Sequence, residues 1–98
     1  MAFGVQLDFK GATLGQYDEM VESLGYLPGG PPASDVLFHF VTKTDDGIRI
    51  IDVWESRQGF EAFAERYTDA VFGPMGSPPP EIQFFDVHNY FAGRRWRA

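Results

Sequence analysis

The sequence predicts an α+β sandwich with the element order β-α-β-β-α-β, and three observations support this. Residues 36–44 and 48–54 are apolar, β-branched and aromatic runs joined by Asp45-Asp46-Gly47. Asp-Gly between two such runs is a strong signal for a tight hairpin. Two segments with apolar residues at helical spacing flank this hairpin, and strand-like segments begin and end the chain. The order matches the split βαβ pattern of the ferredoxin-like sandwich.

The first strand and helix are predicted from residues 3–25. Residues 3–10 alternate, so one strand face carries three apolar side chains and the other face three polar ones. Thr13 and Gln16 have the spacing of a capping box at a helix start. The helix stripe comprises Leu14, Tyr17, Met20, Val21 and Leu24, and Gly25 is placed to end it.

The second helix, the loops and the last strand are predicted from similar signals. Ser56 is a candidate N-cap for a helix ending near Val71, with its apolar stripe at Phe60, Phe63, Ala64, Tyr67 and Val71. Residues 26–34 and 73–80 are rich in Pro and Gly and are predicted loops. The last strand is predicted from Ile82 to about Phe91.

This order predicts a four-stranded antiparallel sheet with both helices on one face, because crossover connections are right-handed. The predicted strands carry bulky apolar side chains on both faces, so the open face would expose a large apolar patch. We therefore expect a homodimer that packs the two open faces together. A monomer whose open face binds another molecule is the alternative.

Composition narrows the classes of function. The 98 residues suit a single domain spanning 1–98, with a basic tail at 92–98. A net charge of −6 argues against nucleic acid and anionic membranes as partners, and no apolar run has the ~20 residues of a membrane helix. The chain has no cysteine, which excludes disulfides and thiolate sites and fits a cytoplasmic location.

Candidate chemistry gathers around the hairpin. A two-residue loop at Asp45-Asp46 or Asp46-Gly47 puts His39 on the same face as Asp52 and Trp54, directly opposite one of them. A carboxylate inside an apolar strand must be paired, hydrogen-bonded or at a wet cavity. A histidine beside a carboxylate can serve as a base at neutral pH.

Further polar residues could join this face. Asp86, His88 and Tyr90 share one side of the last predicted strand, and we expect the same face, with Gln6 and Asp8 added from the first strand.

Structural roles are the alternatives for these residues. Either histidine could be a satisfied structural side chain, Asp52 could pair with Arg49 or a neighbouring strand, and Trp54 could belong to the core. No local ligand spacing predicts a metal site.

The chain resembles a known superfamily. The βαββαβ order, the Asp-Asp-Gly hairpin, residues 52–56 leading into Phe60 and Phe63, and the closing aromatic strand with residues 87–90 are similar to the dimeric α+β barrel proteins. Within that superfamily, the chain most resembles small antibiotic biosynthesis monooxygenase-type proteins. The resemblance implies a homodimeric barrel in which each subunit has a pocket between its sheet and its helices.

The resemblance also implies a cofactor-free oxidation of an aromatic or polyketide-like compound. The candidate catalytic residues are His39, His88 and Asp52, with no metal and no cofactor. The candidate substrate-binding residues are Trp54, Tyr90, Phe84 and Tyr17. An isomerase or cyclase, or a non-catalytic ligand-binding or stress-related protein on the same scaffold, is the alternative.

Overall fold

The computed structural model of the chain describes residues 2–23, 36–75 and 79–91, and for Ser23 and residues 67–75 it describes the backbone alone. The elements are β1 (Phe3–Lys10), α1 (Leu14–Ser23), β2 (Val36–Lys43), β3 (Gly47–Trp54), α2 (Arg57–Met75) and β4 (Glu81–Asp86). The strands form one antiparallel sheet in the order β2-β3-β1-β4. The predicted element order and fold class are therefore confirmed.

The tight turn between β2 and β3 sets the register of the sheet. The Thr44 N–H donates to the Gly47 carbonyl at 2.9 Å, which leaves Asp45-Asp46 as the two-residue loop. This loop pairs His39 directly with Asp52, as one of the two predicted registers requires. Gly11 adopts a φ of 80° after β1, and its N–H donates to the Asp46 carbonyl at 2.6 Å. The end of β1 is thereby tied to the hairpin.

Side-chain caps begin both helices, as predicted. The Thr13 N–H donates to Gln16 Oε1 at 2.8 Å, and the Gln16 N–H donates to Thr13 Oγ1 at 3.1 Å. Ser56 Oγ accepts the Gly59 N–H at 3.1 Å at the start of α2. These bonds satisfy backbone donors that have no partner inside the first helical turn.

The structure describes some of the predicted helix ends and loops and not others. The predicted end of α1 at Leu24 and Gly25, the loop 26–34 and the tail 92–98 lie outside the described residues. The predicted end of α2 near Val71 is wrong, because the helix continues to Met75 and takes in the first part of the loop predicted at 73–80. Pro74 lies one residue before the end of α2, so it can disrupt only the last residues of the helix.

The hydrophobic core lies between the sheet and the helices. Its most buried large side chains are Trp54, Phe9, Ile48 and Val5. Val36 also belongs to the core, although strict alternation predicted it on the face opposite His39. The register shifts between Val36 and Phe38, and this β-bulge turns Val36 inward. Leu14, predicted on the helix stripe, is 43% exposed at the first position of α1.

The face of the sheet away from the helices is apolar at one end and charged at the other. Its apolar part comprises Phe38, Phe40, Ile51, Val53 and Phe85. The prediction that Gln6 and Asp8 share a face with His39 is wrong, because the β1–β3 register places them on this open face.

The charged end of that face is held by an ion pair. Arg49 Nε donates to Asp8 Oδ1 at 2.6 Å, and this bond holds the pKa of Asp8 below its ordinary value. Arg49 is therefore the partner of Asp8 and not, as one alternative had it, of Asp52.

β4 is shorter than predicted. It ends at Asp86, which pairs with Phe3, the first residue of β1. The Val87 N–H still donates to the Ala2 carbonyl at 3.1 Å, but β1 offers no further residue with which 88–91 could pair. No helix in the described parts of the chain is long and apolar enough to cross a membrane.

A close approach on the open face yields a stability prediction. The ring of Phe85 lies across Gly4, its partner on β1, where a methyl group would clash with it. We expect Gly4→Ala to lower the free energy of unfolding by about 1–3 kcal/mol, as overpacking does. Chemical denaturation measures this loss. The loss should shrink in a Phe85→Ala background, and an equal loss in both backgrounds would contradict the contact.

Candidate acid–base site

Asp52 is the one charged residue that is buried among those the structure describes, at 6% exposure. It lies on the helix-facing side of β3, between Ile50 and Trp54, and both of these neighbours are in the core. A carboxylate in this position needs hydrogen-bond donors on both oxygens, because burial removes the water that would otherwise solvate it. The site is therefore built outward from this carboxylate.

Two side chains supply those donors. His39 lies directly opposite on β2, and its Nδ1 is 2.5 Å from Asp52 Oδ1. Trp54 lies two residues along the same strand, and its Nε1–H donates to Asp52 Oδ2 at 3.2 Å. Because successive side chains of a strand alternate between faces, residues two apart and cross-strand partners meet on one side of the sheet. Both carboxylate oxygens are thus occupied.

Tyr17 completes the cluster from helix α1. Its hydroxyl oxygen is 2.5 Å from His39 Nε2, and the two rings stack with centroids 5.9 Å apart. Burial raises the pKa of Tyr17 to about 12, and the negative charges of Asp52 and Asp18 add to this effect. The phenol is therefore protonated at neutral pH and can donate to His39 Nε2.

These contacts assign the tautomer of a neutral His39. A carboxylate can only accept, so Nδ1 carries the hydrogen that it donates to Asp52. Nε2 then has the lone pair that accepts the Tyr17 O–H. The hydrogen bonds therefore run in one direction, from the phenol of Tyr17 to the imidazole of His39 and on to the carboxylate of Asp52. The indole of Trp54 is the second donor to that carboxylate.

Trp54, a candidate substrate-binding residue, lies in the core, which was the alternative that the sequence left open. Its side chain is 1% exposed and packs against Phe60 and Phe63 of α2, with ring centroids 5.7 and 5.4 Å away. The indole thus positions the Asp52 carboxylate and is screened from solvent by α2.

Phe84 lies on the same sheet face as Asp52, because both pair with Val5 of β1. It is 43% exposed and contacts Phe3 and Phe60, with ring centroids 5.4 and 5.9 Å away. The guanidinium of Arg57 lies 4.8 Å from the centroid of its ring. Asp86 shares this face through its pairing with Phe3, as predicted.

His88 and Tyr90 lie beyond the end of β4, so the strand that was to place them beside Asp86 does not reach them. Both are exposed, Tyr90 at 37%. The described contacts of His39 join it to Tyr17 and Asp52 instead. The Tyr17–His39 hydrogen bond was not predicted. The sequence feature related to it is a tyrosine on the apolar stripe of the first helix.

A separate cavity of about 410 Å³ lies at the hairpin end of the sheet. Its lining is mostly polar and includes Asp8, Lys10, Arg49 and Glu81. Asp52 and Trp54 lie toward the other end of β3. Within the described residues, no three histidine or carboxylate side chains are grouped as metal ligands.

Comparisons with known proteins confirm the fold. A protein from Chloroflexus aurantiacus J-10-fl, assigned as an antibiotic biosynthesis monooxygenase, superimposes with a TM-score of 0.64 at 23% identity, covering 95% of this chain and 100% of that one. SnoaB, a cofactor-independent oxygenase from Streptomyces nogalater whose structure is that of a mutant, gives a TM-score of 0.55 at 13% identity, covering 94% and 96%. No family model and no curated protein sequence matches the chain.

The buried carboxylate can be tested through stability. We expect Asp52→Ala to lower the free energy of unfolding by about 3 kcal/mol, because it leaves the Nδ1–H of His39 and the Nε1–H of Trp54 without an acceptor. The matched control is Asp8→Ala, which removes a partly exposed carboxylate from the open face and should cost much less. Equal losses in urea denaturation would contradict the assigned network.

Proposed function

We propose that this chain, which has the fold of antibiotic biosynthesis monooxygenase-type proteins, is an enzyme that oxidises an aromatic or polyketide-like compound with dioxygen. The observation that carries the proposal is the contact between His39 and the buried carboxylate of Asp52. An imidazole backed by a carboxylate is oriented for proton transfer, and the carboxylate stabilises the imidazolium that forms. Removal of a proton from the substrate is therefore the proposed first step.

Deprotonation makes such compounds reactive toward dioxygen. Anthrone illustrates how the atoms of the reaction balance. Loss of a proton from its CH₂ carbon gives an electron-rich aromatic anion, which transfers electrons to dioxygen and forms a carbon–oxygen bond. Loss of water then gives the anthraquinone, so that anthrone and dioxygen become anthraquinone and water. The proposal needs no oxidant other than dioxygen, and the description of SnoaB as cofactor-independent supports it.

A non-catalytic ligand-binding protein is the second candidate, and one observation favours it. Every buried side-chain nitrogen and oxygen atom in the described residues has a hydrogen-bond partner. Satisfied polar networks of this kind also serve to join structural layers. An isomerase or cyclase would share the proposed deprotonation and would differ in the fate of the resulting anion.

The oxidation proposal is tested with 9-anthrone in air. We expect the purified protein to accelerate anthraquinone formation, and His39→Gln to reduce the rate at least 100-fold, since positioned acid–base groups contribute about that much. The formation of product is followed by its absorbance and by mass spectrometry. The matched control is His88→Gln, which changes an exposed histidine outside the network and should keep the full rate.

Two outcomes would count against this proposal. A wild-type protein that binds the anthrone without accelerating its oxidation or its proton exchange would favour the ligand-binding candidate. Full oxidation activity in His39→Gln would remove His39 from the chemistry.

We also propose that two copies pack through their open sheet faces. Phe40 and Phe85 on that face are 44% and 41% exposed, and they stand near Phe38, Ile51 and Val53. A contiguous apolar patch of this kind is more typical of an interface than of a monomer surface. A two-fold arrangement would bury the same patch of both copies and leave the helix-facing sites apart.

The dimer is tested by charge insertion. We expect light scattering to give twice the mass of one chain for the wild type, and the mass of one chain for the Phe40→Glu, Phe85→Glu double variant. The matched control is Phe91→Glu, which places the same charge at a phenylalanine that is 85% exposed and beyond β4. A wild type that runs as a monomer, or a dimer that survives the double variant, would refute this interface.

A further inference from the structure

Both ring nitrogens of His39 are already engaged. Nδ1 faces Asp52 Oδ1 and Nε2 faces the Tyr17 hydroxyl, each at 2.5 Å. The base proposed above therefore has no lone pair directed at a ligand. Its side chain is 17% exposed, which leaves little of the ring open to a substrate. A substrate proton must either displace Tyr17 or travel through it.

We infer that Tyr17 is the group that takes the proton from the substrate, passing its own proton to His39 in the same step. This inference rests on the proposed function and adds a catalytic residue to it. Tyr17 is partly exposed on the helix side of the network, whereas Asp52 lies at its buried end. The phenol oxygen is thus at the end of the hydrogen-bonded chain opposite to the carboxylate.

The step balances as a double proton transfer. The substrate C–H or O–H bond breaks and a new O–H bond forms at Tyr17, while the original Tyr17 O–H bond breaks and an N–H bond forms at His39 Nε2. The substrate keeps the electron pair as an anion, and the imidazolium that results is held by the Asp52 carboxylate. The return of the same two protons would reprotonate a substrate in an isomerisation.

Tyr17 and His39 can share a hydrogen bond both before and after the transfer without movement of heavy atoms. Before transfer, the phenol donates to Nε2; after transfer, Nε2–H donates to the phenol oxygen across the same short contact. Tyr17 is neutral in both states, which agrees with the burial that raises its pKa to about 12. The relay needs no tyrosinate, and the strength of the base remains that of the imidazole.

The test isolates proton abstraction from oxidation. 9-Anthrone is incubated with the protein in deuterium oxide without dioxygen, and deuterium entry at its CH₂ carbon is followed by mass spectrometry. We expect wild type to accelerate the exchange and Tyr17→Phe to lose about 100-fold or more, because the ring stays but the proton path is cut. The matched control is Leu14→Ala, one turn earlier on α1 and half exposed, which should keep the rate.

The outcomes separate this inference from the proposed function. Loss of exchange in both Tyr17→Phe and His39→Gln supports the relay. Loss in His39→Gln with full or faster exchange in Tyr17→Phe overturns the relay and leaves His39 as the direct base. A wild type without exchange or oxidation overturns the proposed function, and the relay with it.

A measurement on the wild type keeps the test decisive if Tyr17→Phe does not fold. Direct abstraction of a carbon-bound proton by His39 moves no solvent-exchangeable hydrogen, whereas the relay moves the Tyr17 hydroxyl proton in the same step. With deprotonation rate-limiting, and with initial rates taken before deuterium enters the CH₂ carbon of anthrone, we expect its oxidation to be slower in deuterium oxide than in water. Equal rates in the two solvents would overturn the relay, and a merely structural Tyr17 would give no such difference.

Discussion

The burial of one carboxylate is the constraint around which the helix-facing side of this protein is built. Asp52 lies in a core of aliphatic and aromatic side chains, where an unpaired charge would be strongly destabilising. Its two oxygens are occupied by His39 and Trp54, and His39 in turn is bonded to Tyr17. The pairing therefore links β2, β3 and α1, and it restricts how these elements can shift relative to one another.

The carboxylates on the two faces of the sheet are stabilised in different ways. On the open face, Asp8 pairs with the side chain of Arg49, which is 42% exposed, so solvent also stabilises these charges. On the covered face, Asp52 has no such access and relies on neutral donors and a histidine. The first arrangement suits an ion pair with a structural role. The second fixes the carboxylate and the imidazole in one orientation, as the proposed acid–base chemistry requires.

Local rules predicted the parts of the site that lie within one hairpin. The Asp-Gly turn signal and the strand alternation were enough to place His39 on one face with Asp52 and Trp54, opposite one of them, and the observed register shows that the partner is Asp52. They missed the bulge between Val36 and Phe38 in the same hairpin, which no residue pattern marks. They also failed outside the hairpin, where the β1–β4 pairing ends at Phe3 and Asp86. The meeting of Tyr17 and His39 depends on how α1 docks, which periodicity along a helix does not specify.

In the proposed relay, the proton path is divided between the sheet and a helix. His39 and Asp52 lie on paired strands, whose backbone hydrogen bonds fix the distance between imidazole and carboxylate. Tyr17 belongs to a helix that packs by side-chain contacts, so the Tyr17–His39 distance depends on how α1 docks on the sheet. The inner hydrogen bond would then orient the imidazole and stabilise the imidazolium that forms. The outer one would provide the path by which a substrate proton reaches the imidazole.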